Sequence, residues 1–172
     1  AAMEIGARSV TVHSNGLGEG GRVLCPYDDL SDAVKLCTMF DTLKIAAEWA
    51  ENCGVRINLE PLNVTTDHPG NFLHHTRTAA ELTRLIGSPN LKVLYEVYHM
   101  QLNEGSLCDH IRAYADQFGH IHVAGRHEPG TGEIHYPAVF AALEQAGYRG
   151  LIGYELFPKT DTKTAVRAIM AD

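Results

Sequence analysis

The sequence has 172 residues and a formal net charge of −7 at neutral pH. This length is enough for one domain that buries roughly 70% of the surface of its unfolded chain. The acidic balance and the lack of a basic run argue against a nucleic-acid binder, because such proteins need clustered Lys and Arg. No segment approaches the about 18 consecutive apolar residues of a membrane span. We therefore expect a single domain, 1–172, with neither nucleic acid nor a membrane as a partner.

The four cysteines, Cys25, Cys37, Cys53 and Cys108, are scattered along the chain. No two of them have the C-x-x-C spacing of a zinc cluster or a redox motif. An even number of cysteines is also compatible with disulfides, but a chain of this length needs no covalent staple. We therefore expect reduced thiols and a cytoplasmic location.

The first part of the chain predicts two strands around one long helix. The first strand-like segment, Ala7–His13, leads into a loop with glycines from Gly16 to Gly21. Their spacing is not that of a phosphate-binding motif, so we expect a mobile loop. Apolar residues then recur at helical spacing and predict a helix over Asp32–Cys53. The next apolar segment, Val55–Glu60, predicts the second strand.

The rest of the chain repeats this alternation. Thr78 followed by Glu81 is a candidate capping box that marks a helix start, and Gly87 marks its end. The segment Leu91–Glu96 predicts the third strand. The remaining signals are a helix from Ser106 and Asp109 to Gly119, the strand His120–Ala124, a helix with Pro137 in its first turn and Gly147 at its exit, the strand Leu151–Glu155, and a helix over Lys163–Ala171.

Alternating strands and helices predict an α/β fold with parallel strands joined by right-handed crossovers. The sheet is then either open and doubly wound or part of a (β/α)8 barrel. No G-x-G-x-x-G or Walker loop follows a strand, which disfavours nucleotide binding. A complete barrel takes about 250 residues, so we expect about five βα units here and about three missing ahead of them. An open barrel would expose two sheet edges and an apolar interior, and we therefore expect self-association.

Four chemically useful side chains lie at or near the ends of successive predicted strands. They are Glu60, Glu96, His122 and Glu155, separated by about 30 residues each, the length of one βα unit. Parallel strands deliver such residues to the same edge of the sheet, where barrel active sites are built. A single acid at a strand end is more often a solvated residue, but four in phase favour a site. Three carboxylates repel one another unless a proton or a cation intervenes, and this set of oxygen and nitrogen ligands suits a divalent ion.

Local motifs lie at these same junctions. They read N-L-E-P-L-N over 58–63, Y-E-V-Y-H-M-Q over 95–101, G-H-I-H-V-A over 119–124, G-R-H-E-P-G-T-G-E-I over 125–134 and G-Y-E over 153–155. Together they resemble the hydroxypyruvate isomerases and the related ketose 3-epimerases of the xylose isomerase-like TIM barrel superfamily. The resemblance runs from about Val55 to Pro158 and implies that the chain is the C-terminal portion of such a barrel.

The resemblance implies a role for each matched residue. Glu60, Glu96, His122 and Glu155 match the metal ligands, and Glu60 and Glu155 also match the two carboxylates that move the proton. The implied cofactor is a divalent ion, Mg²⁺ or Mn²⁺, with Co²⁺ and Zn²⁺ as alternatives. The residues that match substrate contacts are His99, Arg126 and His68, and for His68 a role in shaping its turn is an equal alternative.

This sequence departs from the family at three places. The family's second ligand is typically Asp, and Glu96 is one methylene longer, which implies a shifted or weaker metal site. His122 stands where the hydroxypyruvate isomerases have Gln, as in the epimerases. The loop after Ala124 is shorter than the family's, which implies a displacement of Arg126 and His127.

The implied activity is that of a metal-dependent aldose-ketose isomerase. It would act on a small hydroxy-carbonyl acid, with hydroxypyruvate to tartronate semialdehyde as the leading reaction. A ketose 3-epimerase on the same scaffold stays open, and so does an inactive truncated fragment or assembly module. The superfamily's apurinic-site endonuclease branch is disfavoured, because the sequence has neither a fuller set of zinc ligands nor a basic groove.

Overall fold

A computed structural model describes residues 2–171 of the chain. Within this range, five parallel strands form one sheet whose spatial order follows the chain. The strands are β1 (Ser9–Val12), β2 (Arg56–Leu59), β3 (Leu91–Glu96), β4 (Phe118–Val123) and β5 (Ile152–Tyr154). The helices are α1 (Asp32–Cys53), α2 (Thr76–Ile86), α3 (Val97–Asn103), α4 (Leu107–Tyr114), α5 (Tyr136–Gln145) and α6 (Thr162–Ala171), with short 3₁₀ helices over Met3–Ile5, Glu19–Gly21 and Ala115–Gln117.

The consecutive strand order identifies the architecture. Right-handed crossovers between strands that succeed one another in this order place all connecting helices on one side of the sheet. A doubly wound sheet instead reverses its order at a switch point. The sheet is therefore a curled half-barrel, and the prediction of a partial (β/α)8 TIM barrel with about five βα units is confirmed. No helix within the described residues is long and apolar enough to cross a membrane.

The outward face of the sheet and the helices form the hydrophobic core. Leu59, Tyr95 and Ile121 lie on neighbouring strands with at most 1% of their surface exposed. The Tyr95 ring stacks on Phe118 with 4.7 Å between ring centroids. Fully burying one such side chain contributes about 1.5–3 kcal/mol, so this layer stabilises the packing of the sheet against the helices.

Helix α1 is confirmed at both of its predicted ends because its end signals are local. The Ser31 side chain accepts a hydrogen bond from the backbone N–H of Val34 at 3.4 Å and caps the first turn. At the other end Gly54 has a φ of 66°, a left-handed conformation that glycine adopts without steric cost.

The start of α2 differs from its prediction. The helix begins at Thr76, so Thr78 lies inside it and the predicted capping box is wrong. Glu104, at the end of α3, accepts from the backbone N–H of Thr76 at 3.2 Å and from the Thr76 hydroxyl. A carboxylate distant in sequence therefore accepts a hydrogen bond from a backbone N–H group of the first turn, which has no partner within the helix. At the other end, Gly87 ends the helix as predicted, with a φ of 73°.

A β-bulge interrupts the pairing of β3 with β4. Val93 pairs with Phe118, but Leu94 pairs with His120, so Gly119 is the extra residue. The prediction that Gly119 ends a helix is therefore wrong, since α4 ends at Tyr114 and Gly119 lies inside β4. A Cβ atom on Gly119 would lie 2.5 Å from the Asn58 Oδ1.

The inward face of the sheet is polar. A Cβ on Gly119 would contact Arg56, Asn58 and Lys92 on the two preceding strands, so these side chains share one face. His120 lies on that face as well, beside Gly153 of β5. Among the described residues, the expectation of an apolar barrel interior is therefore wrong for most inward positions, because the apolar strand residues of the core cluster point outward to the helices. Leu94, which pairs with His120 and is 1% exposed, is an apolar exception on the inward face.

Candidate metal and active site

Four side chains converge at the carboxyl edge of the sheet. Glu60 follows β2, Glu96 ends β3, His122 lies in β4 and Glu155 follows β5. One oxygen or nitrogen of each lies within 4.8 Å of those of the others. The structure thus brings the four predicted metal ligands together, because neighbouring parallel strands end side by side. Their role as ligands stays a prediction.

The two inner carboxylates are buried and held in place. Glu60 is 6% exposed and Glu96 is 4% exposed. Glu96 Oε1 accepts a hydrogen bond from the backbone N–H of Tyr98 at 3.0 Å, which caps α3 and fixes the carboxylate. Glu155 differs, since its side chain is 69% exposed at the open side of the site.

The His122 ring shows how these groups meet. Its Nδ1 lies 2.8 Å from Glu155 Oε2 and 3.3 Å from Glu96 Oε2. The same buried nitrogen has no hydrogen bond of acceptable direction. Close approach without aligned hydrogen bonds is expected of ligand atoms that point at a shared cation. The donor set of three carboxylates and one imidazole therefore fits a divalent ion.

The pKa shifts of the cluster also fit a site that binds a positive charge. Burial raises the pKa of Glu96 to about 7, against the lowering effect of His122. Burial alone would lower the pKa of His122, but the Glu155 and Glu96 carboxylates outweigh it and raise this pKa to about 10. Contact with His122 in turn lowers the pKa of Glu155. The carboxylates thus stabilise a positive charge at their centre, and in a metal-free protein the protonated ring supplies it.

A cavity of about 730 Å³ opens beside the cluster. Glu96 and Glu155 line it, and so do His68, His99 and Arg126, the three predicted substrate contacts. The volume is within the range of small-molecule sites. The predicted ligands and the predicted substrate contacts therefore share one cavity.

His99 is a largely buried side chain of the cavity wall. Its Nε2 lies 3.8 Å from Glu60 Oε1, and the side chain is 12% exposed. Burial lowers the pKa of His99 to about 4, although the Glu60 carboxylate opposes this effect. The ring is therefore neutral at physiological pH and can donate from one nitrogen only.

Arg126 is held at the cavity wall by Asp67. The guanidinium pairs with Asp67 Oδ1, and Asp67 Oδ2 accepts from the Tyr98 hydroxyl at 3.0 Å. A guanidinium has five N–H donors, so this pair leaves others available for a ligand. Both Arg126 and His127 line the cavity.

His68 joins two loops at the same cavity. Its Nδ1 lies 2.7 Å from the carbonyl oxygen of Gly21, in the loop after β1. Its ring also meets the His99 ring edge-on, with 5.3 Å between centroids. His68 therefore lines the cavity and joins two loops beside it, and both alternatives for this residue stay predictions.

Sequence reasoning missed one residue that contacts the cluster directly. His13 Nε2 lies 3.0 Å from Glu60 Oε2. His13 closes the predicted strand Ala7–His13, so the rule that found the other strand-end residues would have included it. Asn63 and Asp67 were also missed, because they lie in a loop where spacing gives no signal.

Comparison with known proteins places this geometry in a family. The family model described as the xylose isomerase-like TIM barrel matches residues 1–171. Hydroxypyruvate isomerase of Escherichia coli is 38% identical over 133 residues, which are 76% of this chain and 51% of that protein. The 2-oxo-tetronate isomerase of Cupriavidus necator is 36% identical over 132 residues, 75% of this chain and 50% of that protein.

Solved structures agree on the fold. A family 2 AP endonuclease from Brucella melitensis superposes with a TM-score of 0.83 at 29% identity, over 99% of this chain and 63% of that one. An L-ribulose 3-epimerase superposes with a TM-score of 0.73 at 26% identity, over 98% of this chain and 55% of that one. The chain spans about half the length of these two curated relatives. From the strand order, the cluster at the strand ends and the family model together, the chain belongs to the xylose isomerase-like TIM barrel family, as a hydroxypyruvate isomerase-like member.

Proposed function

We propose that this chain carries the site of a metal-dependent aldose-ketose isomerase for small hydroxy-carbonyl acids, with hydroxypyruvate to tartronate semialdehyde as its reaction. The observation that carries the proposal is the convergence of three carboxylates and one imidazole within 4.8 Å. The naming of E. coli and C. necator relatives as isomerases of small oxo acids supports the substrate class.

The proposed cofactor is Mg²⁺ or Mn²⁺, with Co²⁺ and Zn²⁺ as alternatives. Glu60, Glu96, His122 and Glu155 would hold it, since they are the described residues whose ligand atoms lie this close together. A bound divalent ion supplies Lewis-acid polarisation of a carbonyl and its neighbouring hydroxyl. The carboxylate-rich donor set favours hard ions over soft ones.

Glu60 and Glu155 are the proposed proton carriers. In the forward reaction, one of them removes a proton from the carbon that bears the hydroxyl group. That carboxylate, or the other one, then returns a proton to the former carbonyl carbon. The hydroxyl proton passes to the former carbonyl oxygen, so the carbon that bore the hydroxyl group becomes the new carbonyl. Positioned proton transfer of this kind contributes about 10²–10⁴-fold to the rate. Glu60 is fixed by His13 at 3.0 Å, whereas Glu155 is exposed toward the substrate cavity.

The proposed substrate contacts explain a preference for an acid. The Arg126 guanidinium matches the geometry of a carboxylate, and Arg126 lines the cavity. His99 and His68 add polar contacts for carbonyl and hydroxyl oxygens. Exclusion of water between these groups would strengthen each interaction.

A ketose 3-epimerase is the second candidate. The fold shared with L-ribulose 3-epimerase and the imidazole at His122 favour it. An epimerase acts on a neutral sugar, which has no carboxylate for Arg126 to bind. The two candidates therefore differ in their dependence on Arg126.

The test begins with metal analysis and turnover of the purified chain. We expect about one divalent ion per chain, and conversion of hydroxypyruvate that is lost with EDTA and restored by Mg²⁺ or Mn²⁺. The Glu60→Gln variant measures the background rate of the turnover assay. Turnover above this background supports the proposal even if it is weak, since the chain has about half the length of its relatives. Full activity after exhaustive chelation would exclude the metal, and turnover of free ketoses but not of hydroxypyruvate would select the epimerase. Absence of both metal binding and turnover would favour the fragment or assembly alternative.

A further inference from the structure

We infer that Asn63 is a positioning residue that fixes His99 in the tautomer with its proton on Nε2, the nitrogen that faces Glu60 and the cavity. The inference deepens the proposed function by assigning His99 the part of a hydrogen-bond donor. The tautomer itself follows from the hydrogen bonds of Asn63 alone and does not depend on any activity.

The orientation of the Asn63 amide is fixed by the backbone. Its Oδ1 accepts from the backbone N–H groups of Thr66 and Asp67, both at 3.0 Å. A flipped amide would point its NH₂ group at these two donors and lose both bonds. The oxygen therefore faces the turn, and Nδ2 faces the opposite way.

Both hydrogens of Nδ2 then have fixed acceptors. Nδ2 lies 2.8 Å from Asp67 Oδ2 and 2.7 Å from His99 Nδ1. An amide NH₂ group can only donate, so His99 Nδ1 must present its lone pair. Asn63 has 0% of its surface exposed, and no exchange with bulk water competes with these bonds.

The consequence for His99 is set by its two ring nitrogens. A neutral imidazole carries one proton, and with Nδ1 accepting, that proton must lie on Nε2. Nε2 is 3.8 Å from Glu60 Oε1 and belongs to the cavity wall. His99 then donates to a substrate oxygen and takes no proton from carbon, which leaves proton transfer to the carboxylates.

The same amide couples His99 to Arg126. Asp67 receives Asn63 on one carboxylate oxygen and Arg126 on the other. A single buried Asn thereby orients a neutral donor and, through Asp67, a cationic one. Both act on the same cavity.

The test reads the tautomer of His99 directly by ¹⁵N NMR of the ring nitrogens in the purified chain. The His99 signals are assigned by their loss in His99→Gln. We expect the protonated nitrogen to be Nε2 in the wild type. In Asn63→Asp the side chain keeps an oxygen for the Thr66 and Asp67 N–H groups but presents a carboxylate oxygen to Nδ1. The ring proton should then move to Nδ1, or both nitrogens should become protonated.

The matched control is Asn103→Asp. Asn103 also holds backbone atoms, since its Nδ2 donates to the Leu62 and His74 carbonyls, but these two bonds do not involve the His99 ring. This control should lower stability and leave the His99 tautomer unchanged.

Three results would overturn the inference: an Nδ1 proton in the wild type, an unchanged tautomer in Asn63→Asp, or the same tautomer switch in Asn103→Asp. If Asn63→Asp does not fold, the wild-type spectrum still decides. Failure of the proposed function is separate, because absent turnover of hydroxypyruvate leaves the tautomer readable.

Discussion

The two faces of the same five strands differ in what they do. The outward face places Leu59, Tyr95 and Ile121 in the core, each at most 1% exposed. The inward face places Asn58 and Lys92 on neighbouring strands and ends in the acidic cluster. Because successive side chains of a strand alternate between faces, each short strand carries both kinds of residue.

Residues that stabilise the fold and residues that form the site therefore alternate along the same strand. In β4 the core residue Ile121 is followed directly by His122 of the cluster. Substitutions on the outward face should change the free energy of unfolding and spare the site. Substitutions on the inward face should do the reverse, and the predictions below test both statements.

The largest effect is expected at the exposed end of the cluster, for Glu155→Gln. Turnover of hydroxypyruvate by an active form should fall by about 10²–10⁴-fold, because an amide neither carries the proton nor supplies a full ligand charge. The free energy of unfolding should stay within about 0.5 kcal/mol of wild type, since the side chain is 69% exposed. Kinetics and urea unfolding measure the two quantities. Activity within a few-fold of wild type would remove Glu155 from the mechanism.

The matching change on the outward face is Ile121→Ala. Ile121 has 0% of its surface exposed, and its truncation should lower the free energy of unfolding by about 2–5 kcal/mol. The affinity of the folded fraction for Mn²⁺ should stay the same, because the neighbouring His122 keeps its face. Urea unfolding and calorimetric titration measure both. A large loss of metal affinity without a loss of stability would break the separation of the two faces.

A third prediction concerns the free edge of the sheet. Strand β1 pairs only with β2 within the described residues, and its other edge is open. We expect self-association at roughly tens of micromolar, because unpaired strand edges seek partners. Val10→Lys should weaken this self-association, because Val10 lies on the open edge strand. The control Val34→Lys, at an exposed position of α1, should not. The two side chains are comparably accessible, since Val10 is 37% and Val34 is 47% exposed. A strictly monomeric wild type by light scattering would contradict the prediction.

The smallest effect is expected at Asp67, which lies in the loop after Glu60 and lines the cavity. Burial alone would raise the pKa of its carboxyl, but bonds from Asn63 and Tyr98 and the charge of Arg126 lower it below 3.8. A depressed folded pKa adds stability above the unfolded pKa, and this stability is lost as pH falls through the folded pKa.

The wild type should therefore exceed Asp67→Asn by about 1 kcal/mol or less around pH 6. This difference should shrink as the pH falls below 3.8. Urea unfolding at a series of pH values measures it. A difference that grows toward acid pH would contradict the assigned direction.

The parts of the fold that the sequence predicts well rest on local or strictly periodic signals. Helix α1 carries its own caps at Ser31 and Gly54, and both of its ends lie where the sequence predicts them. The cluster was predictable because every parallel strand delivers its last residue to the same edge, whatever the loops between them do.

The remainder depends on contacts between distant residues. Glu104 accepts the hydrogen bond from the Thr76 backbone N–H in the first turn of α2, and the residues near Thr76 in the sequence do not indicate this distant partner. Helix α3 was not predicted, because it starts directly after Glu96 with no loop to announce it. The pairing of Asn63 with His99 requires the path of a loop and the orientation of an amide, neither of which appears in residue spacing.

The bulge at Gly119 has a consequence for how β4 is divided. Phe118 points outward, and strict alternation of side chains from it would also point His122 outward, toward the helices. The extra residue of the bulge shifts this alternation by one position, so Ile121 faces the core and His122 faces the cluster. The alternation of side chains therefore differs before and after the bulge. Phe118, before it, stacks on Tyr95, and His122, after it, points to the cluster. Glycine is the residue that permits the skip, since a Cβ here would lie 2.6 Å from the Lys92 Cβ. The direction in which the His122 side chain points is therefore set three residues earlier in the strand, by a residue that has no side chain.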